Sequence, residues 1–304
     1  MSARIDKSAD KVSVRAAAFV VLQYLLPKYL LTALVYKLTR IRHAAFKNFL
    51  IRKFVWFYDV NIVEADRDVP GGYQTFNDFF TRELASGCRP IEPSLATVVS
   101  PVDGTLSASG TIKDAQIFQA KGRYYHLHEL LATNFAEADL FINGSFATIY
   151  LAPYNYHRVH APVAAELLAA RYVPGDLFSV NAATASGVPK LFARNERLIC
   201  HLQTDAGPMA LIFVGALNVG SITTPWTGEI RPRKKGVVEE IALRSSVSRV
   251  ISKGDLLGWF NMGSTVIMLF PPGRLHGLDQ LQDGKTLLMG EAIAEYVDAR
   301  TNEK

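Results

Sequence analysis

Two histidines stand close together in Tyr156-His157-Arg158-Val159-His160-Ala161-Pro162. In an extended segment, residues three apart project to opposite faces, so His157 and His160 would serve different surroundings. A helical turn would place both on one face as metal ligands, but Pro162 disfavours a continuing helix. No third ligand is near, since His126 and His128 lie far off in the chain; a metal site is not expected. Imidazoles beside Arg and Tyr suit proton transfer, because their ordinary pKa lies near neutrality. Ser100-Pro101-Val102-Asp103-Gly104 sets a carboxylate in a turn. Asp103 there either bonds its own backbone or orients a histidine. Met262-Gly263-Ser264-Thr265 stands directly ahead of the wholly apolar Val266–Phe270. It is either a plain turn or a serine set to attack its own backbone, since Gly263 has no side chain to hinder approach to its carbonyl. Arg194-Asn195-Glu196-Arg197, which follows Gly175-Asp176-Leu177-Phe178-Ser179-Val180-Asn181, is either a solvated turn or the polar edge of a site.

Such residues need a scaffold, and the chain is long enough to supply one. Its 304 residues, 49% hydrophobic and 20% charged, suffice for one large domain or two ordinary ones. That balance excludes a disordered chain, a collagen-like repeat and a coiled coil. Two cysteines, Cys88 and Cys200, exclude a disulfide-stapled scaffold and a four-cysteine zinc site. From Val69-Pro70-Gly71-Gly72 onward, short β-rich runs alternate with Gly, Pro, Asn and Asp. They are residues 97–100, 105–107, 146–151, 198–202, 210–214, 219–223, 237–242 and 266–270. Helical patterns are fewer, at 76–83, 128–132 and 290–299. This predicts an α+β chain with a mainly β body. No G-x-G-x-x-G or G-x-x-x-x-G-K-[ST] occurs, so nucleotide binding has no support.

The net charge of +5 is lopsided. Residues 1–58 hold eleven Lys/Arg against Asp6 and Asp10 only. Within this basic end, Ala16–Leu26 is apolar but far shorter than the ~20 residues a membrane span needs. It lacks an A-x-A-like site for signal cleavage, with Pro27-Lys28 following instead. Between Lys28 and Tyr58, apolar and aromatic residues recur at spacings of three and four, with the cations mostly between them. This is the pattern of one or two basic amphipathic helices. Such helices lie in a headgroup plane, where each cation near an anionic surface is worth ~1 kcal/mol. The expected partner is therefore an anionic membrane rather than nucleic acid.

The motifs taken together resemble the phosphatidylserine decarboxylase family, in its bacterial membrane-associated form. The likeness runs in order through LQYLLPKYLLT (22–32), TFNDFFTREL (75–84), RPI (89–91), SPVDG (100–104) and QAKG (119–122). It continues through YHRVHAP (156–162), GDLFSVN (175–181), LFARNER (191–197), VGALNVGSI (214–222) and KGDLLGWFNMGSTVIMLF (253–270). One departure is Met262 where the family usually has Leu, a substitution that keeps size and polarity.

The resemblance implies a chain that cuts itself between Gly263 and Ser264. Ser264 would be the nucleophile, His160 its base and Asp103 the orienter, a Ser-His-Asp constellation defined by geometry and not by chain order. Residue 264 would become an N-terminal pyruvoyl group, the covalent cofactor, on an α chain of residues 264–304. Residues 1–263 would form the β chain, with the two staying associated. The pyruvoyl carbonyl would form a Schiff base with phosphatidylserine and release CO2 and phosphatidylethanolamine, with His157 assisting decarboxylation and protonation. The resemblance further implies a homodimer of αβ units, peripheral at the cytoplasmic side of the cell membrane. Residues 1–70 would be the membrane-association region and 71–304 the catalytic domain. Arg158, Arg194 and Arg197 are candidate grips for the lipid's phosphate and carboxylate.

Three rival readings are weaker. SPVDGT at 100–105 and SKGDLLG at 252–258 echo the turn-flanked strands of lipoyl and biotinyl carriers, so the body is expected to contain such β units. A non-enzymatic carrier or scaffold would need a modified lysine in Met-Lys-Met or a similar tip, and Lys253 sits in Ser-Lys-Gly. A serine hydrolase would need G-x-S-x-G, which Ser264 lacks. A pyruvoyl decarboxylase for a soluble amino acid leaves the basic N-terminus unexplained.

Overall fold

The computed structural model describes residues 14–133, 135–218, 220–233 and 236–297. The first three helices come from the basic amphipathic segment: α1 (Val14–Leu25), α2 (Lys28–Leu38) and α3 (Ala44–Tyr58). Pro27 ends the first because it has no N–H to donate, and α1 and α2 meet at a bend of 89°. The expected helical stretch after Lys28 is thus two helices, divided at residues 39–43. His43 caps α3 by accepting a hydrogen bond from the Phe46 N–H, and Asp59 closes it in the left-handed conformation. The start of the basic end, including Arg4, Lys7 and Lys11, lies outside the described residues.

The body is antiparallel β, as its punctuation by turn residues predicts. Its main sheet has nine strands among the described residues. Thr265–Phe270 runs through the middle, paired with Ser145–Tyr150 on one side and Gly207–Val214 on the other. Every residue of that strand is buried, which explains the unbroken apolar run: a strand covered on both faces has no reason to alternate. A smaller sheet orders Gly228–Ile230, Ile222–Thr224, Leu256–Phe260 and Arg158–His160. Asn261, Met262, Gly263 and Ser264 carry the chain from the small sheet into the central strand of the large one. The candidate cleavage point therefore sits where the two sheets hand over.

Two sequence expectations need correction, and one strand goes unread in the sequence. Residues 290–299 do not form a helix: Ala292–Tyr296 is a strand beside Thr97–Val99 and Leu275–His276, and residues 298–299 lie outside the described residues. Gly290 is in a turn with φ of 89°, and a Cβ there would meet the Pro90 carbonyl oxygen at 2.5 Å. Of 237–242 only Glu239–Glu240 pairs, as an exposed edge. The nine-residue strand Ala165–Val173 carries no strand signal of its own, since Ala, Glu, Leu and Arg favour helices. Pairing with Arg197–Thr204 along its length overrides that preference.

A fourth helix, α4 (Phe76–Phe80), is short and heavily aromatic. Thr75 caps it by accepting from the Asp78 N–H. Its phenylalanines form a separate apolar cluster with Ile51, Val60 and Tyr73, against which Met262 packs. The Asn77 side chain donates to the Asn261 carbonyl at 2.9 Å. The loop before Ser264 is therefore held from the helical side as well as from the sheets.

Candidate active site

Ser264 is fully buried, and its Oγ has no hydrogen-bond partner. Its carbonyl accepts from the Leu151 N–H at 2.8 Å, which fixes the backbone at the mouth of the central strand while leaving the hydroxyl uncommitted. Gly263 is hemmed in. A methyl group added there would lie 3.2 Å from His157 Nε2 and 3.3 Å from the Leu151 carbonyl oxygen. His157 is thus the ring beside the Gly263–Ser264 bond.

His157 is itself buried, stacked at a tilt on Phe80 with ring centroids 4.1 Å apart. Neither ring nitrogen has a partner at hydrogen-bonding geometry. Burial, with the nearby charge of Arg82 adding to it, pushes its pKa down to about 3, and the Asn155 backbone offsets this only in part. At neutral pH His157 is a neutral imidazole, able to accept a proton.

His160 faces elsewhere, as the extended spacing predicts. Its Nδ1 lies 2.8 Å from the Gly254 carbonyl oxygen and its Nε2 lies 2.9 Å from the Tyr156 hydroxyl. A carbonyl only accepts, so Nδ1 carries the proton and Nε2 accepts from Tyr156. Burial lowers the His160 pKa, with the Gly254 carbonyl opposing and Arg158 adding to the fall. Asp103 is buried too. Its carboxylate takes hydrogen bonds from Arg89 at 2.6–3.1 Å and from the Met289 N–H at 2.8 Å. Arg89 also bonds Glu64 at 2.8 Å. No hydrogen bond joins Asp103 to His160, or His160 to Ser264, in this uncut chain. The two strands of contact meet through the backbone, where the His160 N–H donates to Pro101.

A cavity of about 170 Å³ opens on Gly263 and Met262, walled by Phe54, Tyr58, Phe80 and Ser179 among others. Phe54, Tyr58 and Met262 also wall a strongly apolar groove of about 440 Å³ between α2 and α3, reaching Val35, Trp56 and Phe57. The helices grip the cavity's far wall: buried Gln23 of α1 accepts from the Ser179 N–H at 2.7 Å and donates to Thr184 Oγ1 at 3.0 Å. None of Arg158, Arg194 and Arg197 lines the cavity. Arg197 is spent on the carbonyls of Leu130, Ala193, Asn195 and Glu129. Arg158 pairs with Glu83, and Arg194 with Asp176. Arg82, Tyr156 and Phe80 are site neighbours that sequence reasoning did not single out, although all three lie inside motifs quoted above.

Comparison with known proteins shows the family. A family model described as phosphatidylserine decarboxylase matches residues 76–295, and a second, described as PSD, matches residues 18–59. A phosphatidylserine decarboxylase proenzyme of Alcanivorax borkumensis is 45% identical over 288 residues, covering 94% of this chain and 99% of that protein. Proenzymes of the same name from Legionella pneumophila and Methylococcus capsulatus are each 46% identical, over 89% and 90% of this chain and 93% and 95% of their own lengths. With its buried serine, its two separately placed histidines and matches of this extent, the chain belongs to the phosphatidylserine decarboxylase family and is a decarboxylase.

Proposed function

We propose that this chain cuts itself between Gly263 and Ser264 and then decarboxylates phosphatidylserine to phosphatidylethanolamine at an anionic membrane surface. The observation that carries this reading is the setting of Gly263-Ser264: a buried, unbonded hydroxyl and a neutral imidazole at the head of a cavity that shares its walls with an apolar groove.

An amine that loses CO2 needs an electron sink, and no ordinary side chain is one. Ser264 can be turned into one. Its Oγ attacks the Gly263 carbonyl carbon while a histidine takes the hydroxyl proton, and the amide becomes an ester with a free amine on residue 264. Removal of the residue 264 Cα proton then breaks the ester C–O bond. Gly263 leaves as a carboxylate that keeps the former serine oxygen, and residue 264 becomes dehydroalanine. Water replaces its nitrogen, which departs as ammonia, and a pyruvoyl group remains. The residues present suit that group: the Ser264 side chain is fully buried, and its carbonyl is already anchored by Leu151. When formed, the group supplies the electron sink through a Schiff base with the substrate amine. The chain's own residues do the rest. Phe54, Tyr58 and Phe80 exclude water, and His157 stands where a proton must be moved or returned.

In this assignment His160 is the base for cutting, its Nε2 accepting from the Tyr156 hydroxyl, and Asp103 is its orienter. A second assignment is favoured by one distance, since His157 Nε2 is the ring nitrogen beside Gly263. A denaturing gel with intact-mass measurement tests both. The parent should give fragments 1–263 and 264–304 with the pyruvoyl mass on the smaller, and Ser264→Ala should stay whole. His160→Ala should also stay whole, whereas His157→Ala should be cut yet turn over ~10²–10⁴-fold more slowly on phosphatidylserine vesicles. If His157→Ala stays whole and His160→Ala is cut, the second assignment holds. Active parent protein with an unbroken chain would defeat the proposal altogether.

Membrane association is part of the reading. No single described helix is long and apolar enough to cross a bilayer, though α1 and α2 together reach that length and composition. The helices leave Leu25, Leu30, Leu34, Trp56 and Phe57 more than half exposed, a surface suited to lying in the headgroup plane at the mouth of the groove.

A further inference from the structure

Arg82 is the most anomalous side chain near the site. It follows α4 directly, is only 3% exposed, and has no carboxylate of its own. Its Nε and one terminal nitrogen have no hydrogen-bond partner, and the other makes a single long bond, 3.3 Å, to the Tyr154 carbonyl. The Phe79 ring lies against the guanidinium at 5.1 Å. Asp103 and Glu64 are near enough to feel its charge, yet both bond to Arg89 instead. A buried arginine with unmade hydrogen bonds is costly, and burial draws its pKa down. The cost calls for an anion that the uncut chain does not hold.

The site described above makes one. Cutting at Gly263 converts a neutral amide into a carboxylate at a half-buried position on the cavity wall, beside the His157 ring on which the charge of Arg82 already acts. The helix preceding Arg82 also holds the loop that carries Gly263, through Asn77 to Asn261 and through the packing of Met262. Arg82 does not line the cavity on whose wall Gly263 sits, so the new chain end would meet it by turning inward, away from the lumen. We infer that Arg82 is a built-in receptor for the Gly263 carboxylate released by self-cleavage. The uncut chain bears an orphan cation, and the cut supplies its partner. Arg82 is thus a positioning residue that holds the spent end away from the new group at residue 264. This rests on the self-cleavage reading above.

The test compares the effect of Arg82→Met in two forms of the full chain. In the uncleavable Ser264→Ala background, removing an unpaired buried charge should leave the melting temperature unchanged or raise it. In the cut protein the same change should lower it by several degrees, because the new carboxylate is left without its partner. A matching readout uses protein labelled with 13C at the glycine carbonyl, in which the Gly263 carboxyl is a new terminal signal. It should stay ionised from pH 5 to 8 in the parent and acquire a titration inside that window in Arg82→Met. Shifts of the same sign in both forms, or an unmoved carboxyl titration, overturn the inference. If Arg82→Met is not cut, Arg82→Lys is compared in its place: a loss confined to the cut form supports the inference, and equal losses overturn it. A parent that never cuts defeats the underlying reading instead, so the two failures are distinct.

Discussion

At the scale of residues, the site is built from buried groups whose charge states are set by their surroundings. His157 gives the sharpest pH signature. Its folded pKa of about 3 lies below the ordinary 6.5, so the unfolded chain takes up the proton first as pH falls. Stability is therefore full above pH 6.5 and is lost progressively below it, by about 2 kcal/mol at pH 5 from this one group. In uncut Ser264→Ala protein, His157→Gln should remove that share of the slope, read by urea unfolding at pH 5 and 8. Glu196 has the opposite sign. It is fully buried, bonded to the Tyr172 hydroxyl at 2.8 Å, and burial pushes its pKa up to about 7. Being held protonated, it loses stability as pH rises from its unfolded value of 4.5 to about 7. Glu196→Gln should thus gain on the parent by ~2 kcal/mol between pH 5 and 8. Gly263→Ala tests the tight fit at the cleavage bond. With contacts of 3.2 and 3.3 Å awaiting a methyl group, cutting should slow by at least about tenfold, or ~1.4 kcal/mol, measured as the half-time of fragment appearance after refolding.

At the scale of elements, the proposed division of labour is between helices that would face lipid and strands that hold the Gly263–Ser264 bond. Leu25 and Leu30 are 77% and 69% exposed and line neither the cavity nor the groove. Burying such a side chain is worth ~1.5–3 kcal/mol, so the pair Leu25→Asp and Leu30→Asp should weaken sedimentation with anionic vesicles by at least about tenfold while leaving fragment formation intact. Normal sedimentation would move membrane attachment elsewhere. Much of this scale was legible beforehand. Pro27 marked a helix end, the apolar run 266–270 a covered strand, and the 157–160 spacing two separate faces. What stayed hidden depends on partners distant in sequence. Ala165–Val173 has no strand signal of its own, and only its pairing with Arg197–Thr204 makes it one. No local pattern around Asp103 announces the Arg89 side chain that bonds it. No local pattern marks Arg82 as unbonded, because that is a property of what surrounds it.

At the scale of the whole molecule, the cut would fall at the edge of the most enclosed part of the fold. The segment after Ser264 supplies the middle strand of the main sheet, with Ala292–Tyr296 added to a second sheet. Its release would unzip hydrogen-bonded ladders on both sides of Thr265–Phe270. The two products should therefore co-elute in gel filtration without denaturant, and separate only when the sheet itself is melted.

A cut at that place would give the protein a history that runs one way. A continuous chain threads its own middle strand as an internal, first-order event, whereas two severed pieces must find each other by diffusion. Recovery from denaturant should therefore become dependent on dilution for cut material and stay independent of it for Ser264→Ala. On the proposed reading the molecule would be assembled once, as a single thread, and would thereafter survive on the slowness with which its centre comes apart.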